Sequence, residues 1–268
     1  MKFYIGVWNA KLAQYAPFFI MSYRQLRKVT KFNVSKQWIM DSGAFQELYI
    51  NGKYTYDIND YLASVKKFNP TIFVNMDYMC EPFMLKKINS TVRKNQLLTI
   101  DNHIKIKDRL DKENIKSKFM GVIQGWELND YLQHIDDYKS YGLIEEYMGI
   151  GSVCRRTKLD NVVNIIRVVK KELPNVKLHG FGIKLQVFKL YPQTIKMLYS
   201  SDSSAWSYNG RKHPLKEFNN LRCKISNKPC IYPRNKNCAN CYLYMLHWYE
   251  KIVNIIKENE KYDLCRYT

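Results

Sequence analysis

Three aspartates carry the first suggestion of chemistry. Asp41, Asp77 and Asp202 each close a short run of largely apolar residues, in QWIMD, TIFVNMD and MLYSSD, while Gln124-Gly125, Gly151-Ser152 and Gly182 close three others. One such aspartate, taken alone, reads as a turn cap or a solvated loop residue. Three at equivalent positions, with an amide and several glycines beside them, form a reactive set once a fold brings the run ends together. Asp202 is the most unusual of the three. It is hemmed in by Ser201, Ser203, Ser204 and Trp206, and a surface turn accounts for the hydroxyls but not for the tryptophan. A second set is sulfur. Of seven cysteines, Cys223, Cys230, Cys238 and Cys241 fall within nineteen residues, a spacing unlike a secreted disulfide framework and typical of metal ligation in a reducing compartment. Cys80, Cys154 and Cys265 read as ordinary residues. The third set is basic: Arg155-Arg156 and Arg211-Lys212 each follow the end of an apolar run.

These residues need a scaffold that gathers strand ends. Eight β-rich runs recur, at Phe3–Val7, Phe18–Ser22, Trp38–Met40, Ile72–Met76, Phe119–Ile123, Tyr147–Ile150, Val176–Phe181 and Met197–Ser200. DINDYLASVKKF, LNDYLQHIDDYKSYG and LDNVVNIIRVVKKE, which lie between them, have apolar residues at three- and four-residue spacing, the pattern of helices packed on a sheet. The third also carries Asp160 near its start and a Lys-Lys pair near its end, in keeping with the helix dipole. Eight β–α units predict an α/β fold, a (β/α)8 TIM barrel whose C-terminal strand ends form a common mouth. The first connection, WNAKLAQYAP, is too short for a full helix, so the barrel is expected to be somewhat irregular there.

Composition sets outer limits. With 268 residues, 46% hydrophobic and 14% aromatic, the chain buries one large core and disorder is excluded. The longest apolar run, near Ala16 to Met21, is too short to span a bilayer, and MKFYIGVWNAK lacks the apolar core and cleavage site of a signal peptide. A cytoplasmic protein with no membrane partner is expected. A formal net charge of +19 attracts polyanions, nucleic acid first among them; a solvated lysine-rich surface is the plain alternative.

MDSGAFQ (40–46), GVIQG (121–125), GIGSVCRR (149–156), HGFGI (179–183) and SSDSSAWSYNGR (200–211) together resemble the tRNA-guanine transglycosylase superfamily. DSSAW tilts the resemblance toward its 7-deazaguanine DNA transglycosylase branch, found in phages and in bacterial DNA-modification clusters. The likeness spans roughly residues 1 to 250 and lies in the ordered set, since each element alone is weak. It implies a base-exchange transglycosylase, a pentosyltransferase that replaces guanine in DNA with a 7-deazaguanine derivative through a covalent glycosyl-enzyme. Asp202 matches the nucleophile and Asp41 the general acid/base. Asp77 matches the acceptor for guanine's N1–H and amine, and Gln124 with the Gly125 backbone matches the donors to its carbonyl. Gly151 and Ser152 would lie against position 7. Phe45 would stack on the base, with His179 at the opposing face. Arg155, Arg156, Arg211 and Lys212 are the candidate nucleic-acid contacts.

The same resemblance puts a zinc subdomain just after the nucleophile strand. Here Cys223, Cys230, Cys238 and Cys241 suit a four-cysteine tetrahedral site with His247 as the reserve ligand, although the spacing departs from the family's tight cysteine triplet and distant histidine. Domains are expected at 1–215 for the barrel and 216–268 for the zinc-binding subdomain with a C-terminal helix packed on the barrel. Structural zinc is the expected cofactor, with no redox or nucleotide cofactor. Expected partners are DNA and a 7-deazaguanine-type free base, with a homodimer left open; a phage-encoded copy would work in the host cytoplasm. Two alternatives stay open: the same exchange on tRNA, in a queuosine- or archaeosine-type pathway, and a non-catalytic zinc-stabilised nucleic-acid-binding subunit.

Overall fold

A computed structural model describes residues 1–32, 34–212, 223, 225 and 237–262. Eight parallel strands close into a barrel in chain order: β1 (Lys2–Gly6), β2 (Phe19–Ser22), β3 (Trp38–Asp41), β4 (Ile72–Val74), β5 (Lys118–Ile123), β6 (Tyr147–Ile150), β7 (Lys177–Gly180) and β8 (Ser200–Ser203). β8 pairs back onto β1, with Lys2 opposite Ser200 and Tyr4 opposite Asp202. This is the expected (β/α)8 TIM barrel. No helix among the described residues is long and apolar enough to cross a membrane.

Strand alternation sorts the side chains. Phe3, Ile5, Phe19, Met21, Trp38 and Met40 join the large cluster between strands and helices. Their neighbours Tyr4, Ile20 and Ile39 join Ile72, Val74, Met120 and Val122 in a separate cluster that fills the barrel. Burying each such side chain contributes about 1.5–3 kcal/mol, so the period-2 pattern is firmly held. Counting on by twos from Ile39 and Val122 brings Asp41 and Gln124 to the inner face. Ser200 and Asp202 share that face with Tyr4, whose ring lies 6.3 Å from that of His179.

The helices follow their sequence signals. Leu159–Glu172 turns Val162, Val163, Ile165, Ile166 and Val169 inward and carries Asp160 in its first turn and Lys170 and Lys171 in its last, matching the helix dipole. The first connection holds only the short helix Ala10–Ala13, the irregularity expected there. The C-terminal helix Tyr242–Tyr262 buries Met245, Trp248, Ile252 and Ile256 in the same cluster as Phe3.

One strand departs from expectation. The apolar residues before Asp202 suggest a strand at Met197–Ser200, but Thr194–Met197 is a helical turn and β8 is Ser200–Ser203. Ile195 and Leu198 are buried in the large cluster ahead of the strand, so their apolar character marks packing, not pleat. The strand can be polar because its hydroxyls have partners: Ser201 Oγ donates to the Gly180 carbonyl at 2.8 Å and Ser203 Oγ accepts the Ala205 N–H at 3.1 Å. Trp206 is fully buried, donates to the Gly6 carbonyl at 2.8 Å and stacks on Trp8 at 4.7 Å. It is a core residue that pins the chain after β8 to β1.

Candidate active site

Asp202 lies inside β8, and its carboxylate is held from β7 and the residues after it. Oδ1 accepts the Gly182 N–H at 2.9 Å and lies 3.2 Å from His179 Nε2, while His179 Nδ1 lies 2.9 Å from Ser200 Oγ. An imidazole with its proton on Nε2 satisfies both contacts, donating to Asp202 and accepting from Ser200. Gly182 is required there. Its φ of 59° is left-handed, and a Cβ would come within 2.6 Å of the Cys154 Cβ. Ser201 and Ser203 bond elsewhere, and Ser200 acts on Asp202 through His179. His179, expected to face the base, is fully buried beneath the carboxylate.

Asp41 ends β3, where Oδ2 accepts the Gly43 N–H at 2.9 Å. Burial pushes its carboxyl up to about 6; the Gly43 N–H opposes this and the nearby Asp202 charge adds to it. Such a group both gives and takes a proton near neutrality. Asp41 and Asp202 line one cavity of about 520 Å³ with Phe45, Phe181, Arg155 and Ser204 among its walls. The Arg155 guanidinium lies over the Phe45 and Phe83 rings at 4.5 and 4.9 Å.

Next to this pair is a buried polar chain. Ser42, the residue after Asp41, places Oγ 3.5 Å from Asp77 Oδ1, and Gln124 Nε2 donates to Asp77 Oδ2 at 2.5 Å. Burial raises the Asp77 carboxyl to about 7, with the Asp41 charge adding to it and the Gln124 bond opposing it. Ser152, at a left-handed φ of 52°, lies 2.7 Å from Gln124 Oε1. Gly151 makes room for that amide, since a Cβ there would fall 2.3 Å from Gln124 Nε2. At Gly125 a Cβ would lie 2.9 Å from the Tyr131 backbone nitrogen. The structure thus brings Asp77, Gln124, Gly151 and Ser152 together, next to Asp41 through Ser42.

The basic candidates separate. Arg155 faces the cavity, and Arg211 and Lys212 are exposed. Arg156 is only 5% exposed, donates to the Ser152 and Trp126 carbonyls and lies over the Trp126 ring at 4.0 Å. It braces the loop after β6 and has no free face for a phosphate.

In the cysteine segment, Cys230 lies outside the described residues. Cys223, Cys238, Cys241 and His247 line one cavity of about 190 Å³. Among the described residues no three His, Cys, Asp or Glu side chains are grouped to hold a metal. Three thiols and an imidazole around one space are nonetheless a donor set that suits zinc. The segment docks through Gly210, whose carbonyl accepts the Cys238 N–H at 3.1 Å and where a Cβ would meet the Cys238 carbonyl oxygen at 2.7 Å.

Sequence reasoning missed Glu81 and Phe181. Phe181 lies within HGFGI, two residues after His179, and its aromatic type alone does not distinguish a cavity wall from core. Glu81 precedes Pro82, the ordinary mark of a helix N-cap, and only its contacts show that the carboxyl has another use.

Fold and site define a (β/α)8 barrel in which Asp41 and Asp202 line one cavity and a buried polar chain of Asp77, Gln124 and Ser152 lies beside them. The chain belongs to the DpdA family, DeoxyPurine in DNA protein A, which matches residues 1–266. That family is the 7-deazaguanine DNA transglycosylase branch of the tRNA-guanine transglycosylase-like proteins. A search of curated proteins gives no match to the chain.

Proposed function

We propose that this protein exchanges guanine in DNA for a free 7-deazaguanine-type base, with Asp202 as nucleophile and Asp41 as general acid/base. The observation that carries this is the single cavity shared by the two aspartates, one held by an N–H and an imidazole and the other poised near neutrality. The target nucleotide leaves its stack, at a cost of a few kcal/mol. Asp202 attacks C1′ as the C1′–N9 bond breaks, and Asp41 delivers a proton to the departing guanine. The incoming base loses its N9 proton to Asp41, and its N9 displaces Asp202 from C1′. Two displacements retain configuration, and no water is consumed.

Asp77 and Gln124, with the Gly125 N–H, read the purine edge, a discrimination of about 1–3 kcal/mol per bidentate pair. Phe45 and Phe181, which line the cavity, stack on the base, and Gly151 and Ser152 lie toward its position 7. Arg155, Arg211 and Lys212 follow the phosphates. Zinc, when bound by Cys223, Cys230, Cys238 and Cys241 with His247 in reserve, supplies a structural cross-link within the 216–268 segment. The family description, a deoxypurine in DNA, favours DNA over tRNA.

Two experiments test the reading. Nucleoside analysis of DNA and tRNA after incubation with 7-deazaguanines should find the new base in DNA; its appearance in tRNA alone would reassign the substrate. Wild type should form a trappable covalent adduct with guanine-containing DNA, and Asp202→Asn should form none while still binding DNA and melting near wild type. An adduct with the variant removes Asp202 as the nucleophile.

A further inference from the structure

Glu81 is the N-cap of the helix Pro82–Ile88, yet its side chain makes no capping bond. The carboxyl turns inward, 1% exposed, with Oε2 2.9 Å from Ser152 Oγ and Oε1 without a partner. Ser152 Oγ also accepts the Cys80 N–H at 2.9 Å and lies 2.7 Å from Gln124 Oε1. Gln124 Nε2 in turn lies 2.5 Å from Asp77 Oδ2. A buried chain therefore runs Glu81–Ser152–Gln124–Asp77, with a carboxyl at each end.

Counting hydrogens leaves two ways to complete it. The Ser152 hydroxyl has one hydrogen and faces two oxygens. In the first arrangement Glu81 carries a proton and donates to Ser152, Ser152 donates to Gln124 Oε1, and Gln124 Nε2 donates to an ionised Asp77. In the second everything reverses: Ser152 donates to an ionised Glu81, the Gln124 amide is turned over, and a protonated Asp77 donates to it. Only the amide and the Ser152 hydroxyl need turn, because the Gln124 backbone is held: Gln96 Nε2 donates to its carbonyl at 2.9 Å and its N–H donates to His134 Nδ1 at 2.8 Å. On the reading of Asp77 and Gln124 given above, guanine and its 7-deaza analogues need an acceptor at Asp77 and a donor at Gln124, which is the first arrangement.

We propose that Glu81 is a positioning residue that, by holding the proton of this chain, keeps Gln124 and Asp77 in the guanine-reading orientation. Burial pushes the Glu81 carboxyl up, while Arg155 and Arg156 oppose this. Among the described residues Asp77, Cys80, Tyr131 and Cys154 also feel its charge. As pH rises and Glu81 loses the proton, Ser152 turns toward it, Gln124 loses its donor, and base recognition weakens. The neutral amide of Glu81→Gln donates to Ser152 with no proton to lose.

The test is calorimetric binding of free guanine by the full chain between pH 7 and pH 9, above most of the range in which Asp77 takes up its own proton, beside thermal melts. Wild-type affinity should fall at least about tenfold toward the alkaline end. Glu81→Gln should stay within about threefold of the neutral wild-type value throughout, and Glu81→Ala should be at least about tenfold weaker at every pH. A folded Glu81→Gln that matches Glu81→Ala, or that keeps the wild-type alkaline loss, overturns the inference. Absence of guanine binding by wild type overturns the base-reading assignment and this inference with it. Guanine binding without base exchange removes only the proposed reaction.

Discussion

The two ends of the site hold their carboxylates differently. At one end Asp202 is held by a backbone N–H and by His179, itself braced by Ser200, and it borders an open cavity. At the other end Asp77 is buried against Gln124 in a chain linked through side-chain groups, anchored to backbone at Ser152 by the Cys80 N–H. Donors fixed by backbone and by a buried imidazole do not rearrange as charge develops, which suits a nucleophile. A chain of side chains that satisfies itself when empty can exchange one partner for a ligand edge, which suits recognition. The lesson is that similar strand-end aspartates acquire different roles from what surrounds them.

The comparison can be broken most severely at the reactive end. Asp41→Asn should lower exchange about 10²–10⁴-fold, the usual contribution of a positioned acid–base group, measured as single-turnover rates. It should also stabilise the protein at pH 8. The Asp41 carboxyl is raised from 3.8 to about 6, so the fold binds this proton more tightly than the unfolded chain does. The associated stability is present below about pH 4 and is lost as pH rises through about 6. Removing the charge should therefore recover roughly 3 kcal/mol at pH 8 and nothing near pH 3, read from denaturant melts at both. A variant no more stable at pH 8 would mean that the carboxylate is better solvated than its burial implies.

A smaller effect is expected one step behind the nucleophile. His179→Ala removes one of the two contacts on Asp202 Oδ1 and should reduce the exchange rate by about 10²-fold with guanine affinity unchanged. An equal loss of affinity would tie His179 to the base and erase the distinction between the ends.

The adjacent arginines offer a sharper contrast. Arg155→Glu should weaken DNA binding and reduce its salt dependence by about one phosphate contact, with little change in melting. Arg156→Glu buries a carboxylate among carbonyl acceptors and should cost several kcal/mol of stability. Similar behaviour of the two in melts would contradict their different burial. Metal analysis gives the mildest test: about one zinc per chain is expected in protein prepared without chelator, and none would remove the zinc proposal while leaving the barrel mouth intact.

Much of this protein can be read from its residues. Hydrophobic runs at strand spacing, separated by helical stripes, dictate a (β/α)8 barrel because each element has one apolar side to bury and parallel strands need helical crossovers. That fold carries strand ends to one mouth, so Asp41, Asp77, Gln124 and Asp202 were recognisable as a set. Tertiary structure decided the partners. A polar β8 defies the apolar pattern because Ser201 meets the Gly180 carbonyl on β7 and Ser200 a buried imidazole, contacts about twenty residues away in sequence. His179 went beneath Asp202 because strand parity, not motif position, sets which way a side chain points. Arg156 turned inward although Arg155, its neighbour, did not. Glu81 gave up the helix cap its sequence position predicts for a hydroxyl seventy-one residues away. Local pattern specifies which face is buried; which polar groups meet there is settled only when distant strands close, because a hydrogen bond depends on ångström-scale positions that no spacing along the chain encodes.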